Sequence, residues 1–201
     1  MLTRWFSGIA VGLLLIASSG SVALGQASHV RWDIIHLDPT TVPPTLSAGG
    51  EAFATTKNPS SLKIKLTGSG TFVAPASGGP SSAVTGGGTW ETFSGCPSSC
   101  VSTGSGTYWV TRLTSWQFAS FQTGAFIDNI GDINERANGN AVLLIQYSDG
   151  SSGILGIGCH GPGAPAGIVE GVIATKNYKT YWDAAVPVGG VDANRTIFHV
   201  E

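Results

Sequence analysis

Two histidines, His36 and His199, fall in the first and last segments whose residue pattern predicts strands. If those strands pair, the two imidazoles can meet, with Asp33 or Asp38 close by. A histidine next to an aspartate is suited to general acid–base catalysis. The plainer alternative is a pair of partly exposed strand histidines, because nothing in the sequence places them in a cleft. The sequence therefore leaves open whether the protein is an enzyme.

The cysteines carry a second set of alternatives. Cys96 and Cys100 flank Pro-Ser-Ser in a predicted loop, and in an oxidising compartment this spacing predicts a short disulfide. Three cysteines also allow Cys159 to be a partner instead. A third alternative is a Cys₃His zinc site completed by His160. Adjacent residues point in opposite directions unless the chain turns there, so the disulfide is preferred. No metal and no other cofactor is predicted.

Several catalytic motifs are missing from the sequence. It contains no Gly-x-Ser-x-Gly elbow, which argues against an α/β-hydrolase. It also contains no His-Glu-x-x-His helix motif and no P-loop. The search for function therefore moves to the elements that would present side chains to a ligand.

A six-residue phrase organises the middle of the chain. It reads TGSGTF, TGGGTW and TGSGTY at 67–72, 85–90 and 103–108, with 18 residues between successive starts. Thr, Val and aromatic residues suit a pleated, half-buried surface, and the Gly-Pro and Pro-Ser clusters between the copies make turns. The repeat predicts a meander of three antiparallel strands at 62–74, 83–93 and 101–118, with hairpins centred at 79–80 and 97–98.

That register defines candidate binding residues. Phe72 and Tyr108 would lie opposite Gly87, so that two aromatic rings cover a strand glycine. Trp90 would lie on the other face, and Trp116 follows on the third strand. A Thr/Gly band with an aromatic edge suits sugars or another regular surface. The alternative is a sheet that bends sharply at its glycines, and a one-residue slip in either hairpin would invert the faces.

The chain begins with the pattern of a secretory signal peptide. Arg4 supplies a positive charge, an apolar run follows at 6–17, and small residues then favour cleavage before Gln26. We therefore expect a signal peptide at 1–25 and one secreted β-domain at 26–201. The apolar run is shorter than the ~20 residues that a membrane span needs, and no other stretch is long enough, so no membrane span is expected.

The charge of the chain limits its partners. It carries 10 basic and 12 acidic residues, and removing Arg4 leaves nine basic residues and a net charge near −3. No basic patch or run occurs, so neither nucleic acid nor an anionic membrane surface is an expected partner. Charged residues make up 11% of the chain and glycine accounts for 29 positions, a composition common in secreted β-proteins.

The remaining segments complete an all-β prediction. Strand patterns recur along the whole chain, while 124–139 and 177–185 are the segments where a short helix is considered. About eight to nine strands with little helix predict a single-domain antiparallel β-barrel or β-sandwich. Pairing of the terminal strands would close a barrel and hide its edges.

Several phrases resemble a group of small secreted β-rich proteins from bacteria and fungi. They are GTFVAP at 70–75, AVTGGGTW at 83–90, YSDG at 147–150, GCH at 158–160 and VDANRT at 191–196. The likeness covers most of the chain after the signal peptide. It implies a secreted single domain, and it carries over no activity and no site.

The leading functional prediction is therefore non-catalytic binding of a small apolar molecule or a glycan. Five of the six tryptophans follow the predicted cleavage site, which provides aromatic surface for either ligand. One alternative is a secreted enzyme that uses a His/Asp acid–base pair in the barrel interior. Another is a structural cell-surface protein without a small ligand. The sequence leaves the oligomeric state open.

Overall fold

The computed structural model describes residues 27–184 and 193–201, and the predicted signal peptide lies outside them. The described chain contains 14 β-strands and no helix, which confirms the all-β prediction. The strands are β1 (Ser28–Asp38), β2 (Thr45–Ala48), β3 (Ala52–Thr55), β4 (Lys63–Leu66), β5 (Ser69–Ala74), β6 (Val84–Ser94), β7 (Val101–Phe121), β8 (Ile127–Asp128), β9 (Arg136–Tyr147), β10 (Ser152–Cys159), β11 (Gly171–Lys176), β12 (Lys179–Tyr181), β13 (Asp183–Ala184) and β14 (Arg195–Val200). None of the described residues forms a helix long and apolar enough to cross a membrane.

Six strands form a closed antiparallel barrel in the order β1–β14–β9–β7–β6–β5, with β5 returning to β1. The first and last strands pair from Val30 opposite Val200 to Ile35 opposite Arg195. The terminal strands therefore close the barrel, as the sequence predicted, and barrel is the correct choice over sandwich.

Two long strands, β6 and β9, each pair with two different strands along one edge. β5 pairs with the first part of β6 and β4 with the last part. Likewise β14 pairs with the start of β9, and β10 with the remainder. The sheet therefore extends beyond the barrel on two sides, through β4–β3 and through β10–β11–β12. The two extensions meet just after β12, where β13 pairs with β3. There the amide of Trp182 donates to the carbonyl of Thr55 at 2.9 Å.

Alternating side chains fill one continuous core. In β1, Val30, Trp32 and Ile34 point inward with at most 1% exposure, and Phe198 meets them from β14. Burying an aliphatic or aromatic side chain of this size contributes roughly 1.5–3 kcal/mol. The intervening side chains of β1 and β14 therefore point to the outside of the barrel.

The segment 122–135 covers part of that outer wall. Ile35, Leu46 and Ile197 form a small buried cluster there, against which Phe126 and Ile130 of the segment pack. This segment includes β8 and overlaps the stretch 124–139, for which the sequence allows an irregular excursion or a short helix. Oδ1 of Asp128 accepts hydrogen bonds from the amides of Ile130 and Gly131, two and three residues further on, which favours a turn over a helix.

The other helix candidate was 177–185, and its described part consists of a turn, β12 and β13. Asn177 and Tyr178 both have positive φ, so the chain reverses there instead of continuing into a helix. The 14 observed strands exceed the predicted eight to nine because several are only two to four residues long. Such strands follow from tertiary pairing, which local residue patterns do not report.

The second and third copies of the repeated phrase lie on β6 and β7, as predicted, whereas the first copy begins between β4 and β5. The sequence predicted these two strands as one strand at 62–74. The register of the first hairpin also differs. Phe72 lies opposite Val84 and not opposite Gly87. The connection between β5 and β6 bends toward β7, where Ser81 forms an isolated bridge with Leu113. The centre of the first hairpin therefore lies at residue 78 and not at the predicted 79–80.

The second hairpin starts in the expected register and then slips. A β-bulge between Thr92 and Phe93 shifts the rest of the β6–β7 ladder by one residue. Tyr108 consequently lies opposite Gly88, one residue from the predicted position. Trp90 is buried in the same core as Tyr108, which corrects the prediction that it occupies the opposite face.

Candidate functional site

The predicted histidine pair does not form. In the β1–β14 register, His199 lies opposite Arg31, whereas His36 lies beyond this pairing and faces Ser47 of β2. Five residues along β1 separate the two positions, which corresponds to about 17 Å. His36 is exposed and His199 is 2% exposed. Strand pairing was predicted correctly, but its register keeps the imidazoles apart.

The buried histidine has a different partner. Nε2 of His199 lies 3.0 Å from Oδ2 of Asp128 in the covering segment. The carboxylate of Asp33 is bound by two nitrogens of Arg31 at 2.7 and 2.9 Å. Both pairs lie on the outer wall beneath residues 122–135, not in the barrel interior. Their geometry supports a role in holding that segment to the barrel.

The predicted binding aromatics are core residues. Phe72, Trp90, Tyr108 and Trp116 are each at most 6% exposed. Trp116 packs on Phe198 with ring centroids 4.6 Å apart, so these rings stabilise the barrel. Of the four, Trp90 also lines a cavity of about 370 Å³, together with Lys176 and Tyr181.

The outer face beside the Thr/Gly band presents a different aromatic residue. Trp109 is 48% exposed and lies opposite Gly87. The threonines of the band bind one another, as in the 2.7 Å contact between the hydroxyls of Thr67 and Thr89. The sequence predicted that Trp109 lies on this strand. The β-bulge decides which face of the sheet its side chain occupies, and the sequence did not predict the bulge.

The cysteines follow the preferred prediction. The sulfur atoms of Cys96 and Cys100 are at bonding distance, and their Cα atoms are 4.2 Å apart. Cys159 is a free thiol, 1% exposed, that receives a hydrogen bond from Gln122 at 3.1 Å. The side chain of His160 is exposed on the next residue. The Cys₃His zinc alternative is therefore wrong, because two of its thiols are joined to each other.

The candidate ligand site is a groove on the outer face of β9, β10 and β11. We call it the outer groove. Its volume is about 360 Å³. Its apolar lining includes Val142, Val169, Ile173 and Trp182, and its polar lining includes Asn140, Glu170 and Asp183. None of these residues was singled out from the sequence.

Glycines give the groove its shape. Val142, Gly156 and Ile173 lie opposite one another on three adjacent strands, so the central strand adds no side chain to the row. At Gly158, a Cβ atom would lie 2.1 Å from the carbonyl oxygen of Val169. Glycine therefore lets the chain before β11 pass directly over β10, and this crossing forms one wall.

Glu170 is one of the two acidic side chains that line the outer groove. One carboxylate oxygen accepts the amide of Thr196 at 2.7 Å, and the other accepts the amide of His160. Burial raises the pKa of Glu170 above its usual range, although these donors act in the opposite direction. A second cavity of about 220 Å³, lined in part by His160 and Phe126, also borders this residue.

A buried lysine lies at the opposite end of β11. The Lys176 side chain is 3% exposed, and its Nζ lies 3.9 Å from the ring centroid of Trp90 and 4.1 Å from that of Tyr147. It forms an ion pair with Asp149 and donates to the hydroxyl of Ser151. Within the described residues, no group of three or more His, Cys, Asp or Glu side chains has a geometry that could hold a metal ion.

Comparisons with known proteins add no assignment: no family model, curated protein or solved structure matches the chain. The functional argument therefore rests on the geometry of the outer groove and its surroundings.

Proposed function

We propose that the protein binds a small, largely apolar molecule in the outer groove and that it does so outside the cell. The observation that carries this proposal is a concave set of solvent-exposed apolar side chains. Val169 is 69% exposed, Trp182 51% and Ile173 38%, and all three line the same cavity of about 360 Å³. Small-molecule sites are typically concave, mostly apolar and within this range of volumes.

The polar end of the groove favours a neutral or hydrogen-bond-donating head group. Glu170 and Asp183 would repel an anion, whereas the carboxylate of Asp183 and the amide of Asn140 can accept or donate hydrogen bonds. An apolar body over Ile173 and Trp182 with a hydroxyl or amine at the other end matches this arrangement.

Binding fits the site better than catalysis. Both carboxylate oxygens of Glu170 already accept backbone N–H groups, from Thr196 and His160. A general base needs a free oxygen within reach of the proton that it removes. The Cys96–Cys100 disulfide supports an extracellular location, because disulfides persist mainly in oxidising compartments.

The neutral fluorophore N-phenyl-1-naphthylamine is a suitable probe for titration. Ile173→Ser should weaken its binding about tenfold, because the loss of buried apolar area costs about 1.4 kcal/mol. Ile154→Ser is the matched control: Ile154 is 37% exposed on the neighbouring strand but does not line the groove. Its affinity should stay within about twofold of the wild type.

Equal losses in the two variants would contradict the proposal, as would the absence of saturable binding to the wild type. Circular dichroism of both variants checks that the barrel is intact. If the far-ultraviolet spectra of both variants match that of the wild type, a difference in probe affinity reflects the loss of local contacts and not unfolding.

A further inference from the structure

The turn between β11 and β12 contains a residue type that is unfavourable for the backbone conformation at its position. Lys176 pairs with Lys179, which leaves Asn177 and Tyr178 as the two central residues, with φ of 49° and 64°. Positive φ at both positions is the type I′ requirement, and Asn-Gly is the preferred pair. A bulky side chain at positive φ is a genuine outlier. The chain places tyrosine where glycine would be unstrained.

Packing does not explain this choice, because Tyr178 is fully exposed, at 109% of the reference value for its residue type. Strained residues persist where function requires them, and an observed outlier is a starting point for a functional hypothesis. The surroundings of the ring therefore indicate which ligand it could serve.

Tyr178 borders a separate cavity of about 290 Å³, between the hairpin tip and the segment that follows β3. Trp182, Lys57 and Lys179 also line it, together with Asn58 and Thr180. Trp182 is 51% exposed, and Nζ of Lys57 lies 5.9 Å from its ring centroid. Two accessible aromatic rings, two ammonium groups and polar side chains thus surround one depression, which we call the hairpin-tip site.

The charge at this site differs from that of the protein as a whole. The chain has a net charge of −2. Lys57 and Lys179 form no ion pair with any residue in the described ranges. The hairpin's other lysine, Lys176, already has Asp149 as its partner. Two cations are therefore available to a ligand, beside rings that offer rigid, amphipathic contact area at low entropic cost.

We propose that the hairpin-tip site binds an acidic sugar unit of a polysaccharide. The apolar face of a pyranose ring would stack on Tyr178, and a carboxylate would bind Lys57 and Lys179 with charge-assisted hydrogen bonds. The polar side chain of Asn58 would serve the ring hydroxyls. This site meets the outer groove at Trp182, which lines both, but their other lining residues differ. The inference does not rest on the function proposed for the outer groove.

The test uses a tetramer of galacturonic acid as the probe, with isothermal titration calorimetry as the readout. The wild-type protein should bind it saturably. The methyl-esterified tetramer has the same rings and no charge, so it lacks the charge-assisted hydrogen bonds. It should bind at least fivefold more weakly, which corresponds to a loss of about 1 kcal/mol. Raising the salt concentration should weaken binding of the acidic probe.

Tyr178→Gly is the decisive variant because it restores Asn-Gly at the turn. It should raise the thermal midpoint while weakening tetramer binding about tenfold, the loss expected for one aromatic stacking contact. Tyr178→Phe keeps both the ring and the strain, and should bind like the wild type. N-phenyl-1-naphthylamine affinity at the outer groove should be unchanged in both variants.

Three results would overturn the proposal: no saturable binding of the acidic tetramer to the wild type, equal binding by Tyr178→Gly, or equal affinity for the esterified tetramer. Because Tyr178→Gly is expected to fold more stably than the wild type, lost binding in it cannot be attributed to unfolding.

Discussion

At the scale of single residues, the most demanding environment is that of Lys176. Its ammonium group is buried between Trp90 and Tyr147, whereas the side chain of its partner Asp149 is 37% exposed. Removing one partner of an ion pair lowers the stability of the protein most when the charge that remains is buried. The two halves of this pair should therefore respond differently to mutation.

Asp149→Asn should destabilise the protein by about 2–3 kcal/mol, because it leaves the buried ammonium without a counter-charge. Lys176→Met should cost about 1 kcal/mol or less, since water solvates the remaining carboxylate and the thioether packs against the rings. Urea unfolding of both variants measures the difference. Lys65→Met is the control for a surface pair, with Glu91 2.9 Å away, and should cost under about 1 kcal/mol. The reverse order would contradict this account.

The same pair predicts a pH dependence. The hydrogen bond from Lys176 lowers the pKa of Asp149 to about 2. A carboxyl group with a depressed pKa in the folded state stabilises the protein above its ordinary pKa, and this contribution is lost as the pH falls through the folded value. The stability difference between the wild type and Asp149→Asn should therefore shrink from about pH 4 down to about pH 2.

At the scale of elements, the sequence was most informative where a pattern was local. The repeated phrase predicted β5, β6 and β7 as strands because turn residues and β-formers alternate there. Its register was wrong because a bulge after Thr92 and the pairing of Ser81 with Leu113 depend on neighbours far away in sequence. The faces of Trp90 and Trp109 depend on that register, so a buried ring was predicted to bind and an exposed one was overlooked.

The segment 122–135 illustrates an element held by a few specific contacts. Asp128 binds His199, and Arg31 donates to the carbonyl of Ile130 at 3.3 Å. Gly131 packs so closely on the imidazole that a Cβ atom would lie 2.6 Å from its Cδ2. Because this ring is buried and bonded, it cannot move aside without loss.

Gly131→Ala should therefore destabilise the covering segment by about 1–3 kcal/mol, the usual cost of overpacking. Hydrogen exchange should show faster exchange at the amides of Ile127 and Asn129, which bond to the carbonyls of Pro44 and Leu46. The control is Gly79→Ala, where the nearest atom is a flexible serine hydroxyl at 3.2 Å. Unchanged exchange in Gly131→Ala would show that the segment is not held at this point.

At the scale of the whole molecule, closure was the most successful prediction from sequence. Strand patterns at both termini, together with the need to hide edges, indicated pairing of β1 with β14. The outer groove could not be predicted in this way. It forms because Gly158 allows the chain near Val169 to cross β10, and a glycine in a strand does not reveal what will approach it.

The free thiol of Cys159 reports on the integrity of the closed core. It is 1% exposed, and burial raises its pKa far above the usual range, so the reactive thiolate is scarce in the folded state. Alkylation by iodoacetamide in native buffer should be slower than in denaturant by a factor of at least ~10³, because access requires opening of the barrel. Without reductant, mass spectrometry of the denatured protein should show one alkyl group, and after reduction three. Rapid native labelling would contradict the closed core, and three groups without reduction would contradict the Cys96–Cys100 bond.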